Sequence, residues 1–240
     1  MKYSFFKICS LFTVYCLLFT ALGCAPKVAP LAPYKDLDLT LDEIISKAKG
    51  DVHTLKIISG INIEKDDNPY MYVDAAVTLK NSGWMHVRLY TFGMLAGDYI
   101  VKDGVINNAS GKASNKSDSK LFQNMKEFSK AMQRSIFWWN GLTNSDCKNS
   151  VSGCKENTVM SKNEMEYVIN TADREIHLDR ATLLPLSQDI RAGGKKIHIN
   201  YAEPQKEGDF HYSSSLKIEA GSYSFLMKVT KLIINPPAEE

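Results

Sequence analysis

The stretch YMYVDAAVTLK, Tyr70 to Lys80, alternates without a slip. Met71, Val73, Ala75, Val77 and Leu79 point one way; Tyr72, Asp74, Ala76, Thr78 and Lys80 point the other. Successive side chains of a strand face opposite sides of its sheet. The pattern therefore describes a strand with one covered face and one wet face, the mark of an antiparallel sheet. It continues on both sides. TLKIISGINIEK places Ile57, Ile61 and Ile63 on one face, and WMHVRLYTF and DYIVKDGVI follow, with Asp103-Gly104 as a tight turn. Later come EMEYVINT, REIHLDR, PLSQDIR, KKIHINY, SLKIEAG and YSFLMKVTKLIIN, separated by turn residues at 171–173, 193–194 and 220–222. The reading is α+β: a meander of about ten strands in a strongly curved antiparallel sheet, with helices on one face.

One helix precedes the strands and a second is inserted among them. Thr40 followed by Glu43 is a capping box and Gly50 a stop, so a short helix runs from about 41 to 49. Its apolar stripe is Leu41, Ile44, Ile45 and Ala48. The second follows a polar loop. Leu121, Phe122, Met125, Phe128, Met132 and Ile136 recur at helical spacing, and Phe137, Trp138 and Trp139 crowd its end. Two readings stay open. The helix seals the sheet, or its methionines and aromatics line an adaptable apolar pocket, because thioethers repack easily. In the second case Val73, Ala75, Val77 and Leu79 contribute from the sheet, and Phe122, Met125, Phe128 and Met132 from the helix.

The first 23 residues carry two charges, Lys2 and Lys7, and an apolar run from Ile8 to Leu22. That is short for a membrane span and has the layout of a secretory signal. It ends in Ala21-Leu22-Gly23-Cys24, which resembles the lipobox of bacterial lipoproteins. That resemblance implies cleavage before Cys24 and lipidation of its thiol, and Ala25 fits sorting to the outer membrane. Pro26, Pro30 and Pro33 make 24–39 a semi-stiff tether. The expected organisation is signal peptide 1–23, lipidated cysteine and tether 24–39, and one domain over 40–237.

Charge and cysteines narrow the function. Of 29 Lys and Arg, Lys2 and Lys7 lie in the leader, which leaves 27 against 27 Asp and Glu. A balanced chain has no basic excess for phosphate backbones, so nucleic acid is not an expected partner. Cys147 and Cys154 lie in a Ser/Asn/Gly loop, NSDCKNSVSGCKEN. In an oxidising compartment they read as a local disulfide; a metal site is the alternative, and it lacks a nearby histidine. The histidines are scattered, and no nucleophile elbow or phosphate loop occurs. No catalytic residue, metal or cofactor is expected, and the protein does not read as an enzyme.

Several stretches in order resemble the LolA/LolB family of periplasmic lipoprotein carriers and receptors. LDEIISKAKGDVHTLKIISGINIE is similar to the first helix and strand, and WMHVRLYTFGMLAGDYIVKDGVI to the strand pair that follows. MKEFSKAMQRSIFWWNGL is similar to a helix ending in tryptophan and Gly-Leu, RATLLPLSQDIRAGGKKIHINYAE to a late hairpin, and FLMKVTKLIINPP to the last strand. The cysteine loop has no counterpart there. The resemblance implies an incomplete β-barrel covered on its concave face by helices, enclosing an apolar cavity for acyl chains. With Cys24 it points to the LolB-like side: an outer-membrane lipoprotein facing the periplasm, accepting lipidated proteins, with a LolA-like shuttle as partner. A structural lipoprotein that binds a protein partner, and a carrier of another lipid, are the alternatives. The resemblance also bears on TFGMLAGD, Thr91 to Asp98. A buried turn explains its apolar residues; the family's protruding loop instead implies that Phe92, Met94 or Leu95 touches the membrane.

Overall fold

In the computed structural model, described over residues 38–102, 105–109, 129, 131–142, 158–192 and 194–237, the chain pairs into one antiparallel sheet of twelve strands. The first five are β1 (Thr54–Lys65), β2 (Asn68–Lys80), β3 (Trp84–Thr91), β4 (Met94–Lys102) and β5 (Val105–Asn108). The second run is β6 (Val159–Lys162), β7 (Glu166–Asn170), β8 (Arg174–Asp179), β9 (Pro185–Ala192), β10 (Lys195–Glu207), β11 (Phe210–Ala220) and β12 (Tyr223–Ile234). The order across the sheet is β5-β4-β3-β2-β1-β12-β11-β10-β9-β8-β7-β6. Two meanders thus meet where the first strand pairs with the last. Among the described residues the edges β5 and β6 do not pair, so the sheet stays open.

The count corrects the expectation of about ten. DYIVKDGVI holds two strands, β4 and β5, folded back with Lys102 opposite Val105. Strand β6 is only four residues long, and a single strand that short carries no readable alternation. Asp103-Gly104 and Gly193, expected as turns, residues 121–128, expected as helix, and Cys24, Cys147 and Cys154 lie outside the described residues.

The seam between the meanders is clasped by Asn235. Its Oδ1 accepts from the backbone N–H groups of His53 and Thr54, and its Nδ2 donates to the Asp51 carbonyl at 2.8 Å. The short helix α1 (Leu41–Lys49) enters just before. Thr40 and Glu43 form the capping box, and Ile44 and Ile45 are buried. Its approach is tied to the far meander: the Leu39 N–H donates to the Tyr167 hydroxyl on β7.

Curvature follows from one residue. Residues 131–136 are helical and run into turns at 137–141. The Asn140 carbonyl accepts from Arg174 Nη2 at 2.7 Å, while Asn140 Nδ2 donates to the Asn81 carbonyl at 3.4 Å. Arg174 opens β8, and Asn81 follows β2, six strand positions away. On a flat sheet those positions lie roughly 29 Å apart. A single asparagine and one arginine side chain cannot span that, so the sheet must curl. Its inner face is continuous: Ile57, Ile61, Val77, Met85, Tyr167, Ile176 and Met227 share one buried cluster with Ile44, Met132, Phe137, Trp138 and Trp139.

Arg174 holds this arrangement. It is 6% exposed, and its Nη1 donates to the Trp138 carbonyl at 3.0 Å. Burial, with the nearby charge of Arg134, lowers its pKa to about 10, so it stays charged at neutral pH. Those carbonyls end the helical segment and have no continuing helix to satisfy them. Trp139 stands edge-on to Phe137, Trp138 and Phe210, at centroid distances of 5.7 to 6.3 Å. Replacing Arg174 by Met should cost about 2–4 kcal/mol, since the buried Trp138 carbonyl and the partly buried Asn140 carbonyl lose their donor. Denaturant unfolding measures it. A cost below about 0.5 kcal/mol would show that the grip is dispensable.

The outer face is wet and ion-paired. His177 lies 2.9 Å from Glu166 and 3.0 Å from Glu175, His198 lies 2.7 Å from Asp189, and His86 pairs with Asp98. The hydrogen bond to Glu166 raises the His177 pKa most; burial opposes it, and the hydrogen bond to Glu175 and the charges of both carboxylates leave the net shift upward. A raised folded value means that this pair stabilises fully below the unfolded value of about 6.5. The contribution is lost as pH climbs through the folded value. In thermal melts from mildly acid to mildly alkaline pH, His177→Gln should flatten the decline seen in the parent protein. Equal slopes would remove His177 as the source.

Candidate functional site

An apolar cavity of about 210 Å3 lies inside the curl, between β1 to β4, β12 and the helical segment. One water needs roughly 10–15 Å3, so this is a genuine space, and apolar cavities of this kind take apolar ligands. Strand β1 gives Ile61 and Ile63, β2 gives Val73 and Val77, and β3 gives Val87, Leu89 and Thr91. Ala96 and Tyr99 come from β4, Tyr223 and Phe225 from β12, and Ser129 and Met132 from the helical side. Tyr70 and Met71 line it and are also largely exposed, which places them at its mouth.

Local irregularities shape the wall. A bulge between Ile63 and Glu64 brings two successive residues, Tyr70 and Met71, to the mouth. A second bulge at Leu89/Tyr90 leaves Ala96 as an extra residue turned into the cavity. Gly97 makes room for Tyr99, since a Cβ there would overlap the Tyr99 ring. Tyr70 stands edge-on to Tyr223 at 6.4 Å, Tyr223 stacks on Phe225 at 6.2 Å, and the Lys65 ammonium sits 6.0 Å above Tyr223. One wall is thus an aromatic ladder running from solvent inward, and among the described residues the lining contains no carboxylate or ammonium group.

Of the residues expected from sequence, Val73, Val77 and Met132 line this space. Ala75 and Leu79 share the inner face but are buried away from it: Ala75 lies opposite Ser59, and Leu79 opposite Leu55 and Met85. Phe122, Met125 and Phe128 fall outside the described residues. Tyr70 was missed because the bulge on β2 breaks the strict alternation from which faces are read. The one available signal was the density of aromatics in NPYMY and SYSF.

The turn between β3 and β4 is exposed. Phe92 is 95% exposed, Met94 70% and Leu95 55%, so the apolar turn of TFGMLAGD is not buried. Thr91 pairs with Met94, which leaves Phe92 and Gly93 as the two turn residues. Both have positive φ, 51° and 75°, the pattern of a type I′ hairpin turn. Asparagine before glycine suits such a turn; a bulky aromatic there is strained. A solvated ring gains nothing from the fold that offsets this strain. Phe92→Asn should therefore stabilise the protein by about 1 kcal/mol, read as a rise in denaturation midpoint. A fall would mean that the ring packs against the protein.

No family model matches the sequence, and no curated protein is similar to it. Solved structures are similar. A LolA superfamily protein from Nitrosomonas europaea superposes with a TM-score of 0.53 at 9% identity, over 84% of this chain and 96% of the other. A domain assigned to outer-membrane lipoprotein sorting from Vibrio parahaemolyticus gives 0.41 at 12% identity, over 83% and 92%. A DUF1329 family protein from Desulfovibrio piger gives 0.43 at 9%, over 83% and 93%. The first of these shares the fold, an open, curled antiparallel sheet.

Proposed function

We propose that this chain is a lipid-anchored envelope protein that holds the acyl chains of lipidated proteins in the apolar cavity and passes them to the outer membrane. One observation carries the reading. Thr91 and Ala96 line the cavity, and between them the chain turns out into solvent as Phe92, Met94 and Leu95. An apolar store and an apolar protrusion are therefore consecutive on one hairpin. The neighbour described as a LolA superfamily protein supports the same direction.

In this reading residues 1–23 are removed, Cys24 carries the lipid, and 24–39 tether the domain over 40–237 to the outer membrane, facing the periplasm. Two acyl chains suffice for stable anchoring. The two helical elements roof the concave face, and Cys147 and Cys154 bond to each other. A LolA-like shuttle delivers the cargo. The role needs no covalent step and no cofactor, only a cavity that holds acyl chains and an exit to lipid. Burying Phe92, Met94 and Leu95 in the bilayer contributes about 1.5–3 kcal/mol each, enough to bias where a tethered domain touches the membrane.

Replacing Phe92, Met94 and Leu95 together by glutamate should leave the fold and cargo binding unchanged and abolish transfer of a lipoprotein to liposomes. Transfer is measured with the variant loaded from a shuttle protein, and mass spectrometry identifies any lipid retained. Normal transfer by the variant would refute the role of the turn. Retention of a lipid that is not attached to protein would point to a carrier of another lipid. A protein that takes up no lipid of either kind would point to a structural role.

A further inference from the structure

A second space, of about 40 Å3, lies in line with the large cavity. Three elements show the alignment. On β1, Ile61 and Ile63 line the large cavity and Ile57 the small one. On β12, Tyr223 and Phe225 line the large one, and Met227 and Val229 the small. On the helical side Met132 faces the large cavity, and Ser135 and Ile136, within the following turn, face the small. The two spaces are therefore successive stations along the same strands and the same helix.

What divides them is soft. Ile61, Met227 and Leu216 form a row of direct cross-strand partners on the inner face. Ile61 belongs to the large cavity, and Met227 and Leu216 to the small, so the boundary passes between Ile61 and Met227. Met132 closes from the helical side, and both methionines are fully buried. Between Ile57 and Ile61 the floor is low, because Ser59 pairs with Ala75 across β1 and β2. The Ser59 hydroxyl is buried there with no hydrogen-bond partner. A thioether side chain has three rotatable bonds and repacks at little cost, unlike a branched one.

We propose that Met227 is a movable partition in one acyl channel: its rotation joins the small space to the large cavity and sets the longest chain the protein holds. The inference rests on the lipid-binding reading above. The occupant is a single unbranched saturated chain, which the in-line arrangement of the two spaces fits.

The test titrates the full chain carrying Cys24→Ser with saturated fatty acids from octanoate to stearate, by calorimetry. In the parent protein affinity should rise roughly four-fold for each added methylene, then level off once the channel is full. Met227→Leu keeps the volume but is branched, and volume-conserving exchanges fold well. It should level off at a chain a few methylenes shorter. Met227→Ala removes the partition and should level off no earlier than the parent. A shared levelling point in all three proteins overturns the partition while leaving lipid binding intact. If the parent binds no fatty acid of any length, the lipid-binding reading fails and this inference falls with it.

Discussion

The curl of the sheet depends on a tie at Asn140. Its carbonyl is gripped by Arg174 at the start of β8, and its side chain reaches the Asn81 carbonyl beyond β2. Twelve strands in one layer have no need to enclose anything. What folds this layer around an interior is a short segment bonded to both halves at once. Both bonds are partly buried, and the one from Arg174 is charge-assisted, which makes it the stronger of the two. The aromatic cluster of Phe137, Trp138, Trp139 and Phe210 packs where this tie holds the walls together.

The interior so formed is unevenly filled. Around Leu55, Leu79, Met85 and Tyr167 the packing is tight, and these side chains are fully buried. Toward the ends of β1, β2 and β12 the cavity remains. Departures from regular strand geometry shape it: two bulges and a glycine that lets Tyr99 lie across the backbone. Bulges re-aim side chains, and they concentrate at functional places in sheets. Phe92 fits the same pattern, holding a strained backbone conformation while presenting its ring to solvent. In the proposed role this strain is retained because the ring meets the membrane.

These features form a sequence in space. The two in-line cavities lie under the helical segment, the aromatic ladder leads to the mouth, and the exposed turn starts from the cavity wall. In the proposed role, an apolar chain held this way moves between environments of similar polarity. On the outer face His86, His177 and His198 pair with carboxylates.

The sequence determined local structure wherever a local rule was strict. Period-two alternation named β2 and the face holding Val73, Ala75, Val77 and Leu79; the Thr40–Glu43 box placed α1; and the apolar composition of TFGMLAGD marked the turn. Helical spacing marked Met132, and stretches in order pointed to the fold type. Tertiary structure alone decided the rest. Alternation says which residues share a face, but not which of them meet a neighbour and which meet a void. Ala75 and Leu79 joined the packed core, while Val73 and Val77 lined the cavity. The bulges that brought in Tyr70 and Ala96 depend on pairing with another strand. The role of Arg174 needs Trp138 and Asn140, more than thirty residues earlier, and one arginine in a run of polar residues carries no sign of that. Whether Phe92 would be buried or exposed was likewise open, because the same apolar turn suits either until the surrounding strands fix what lies beside it.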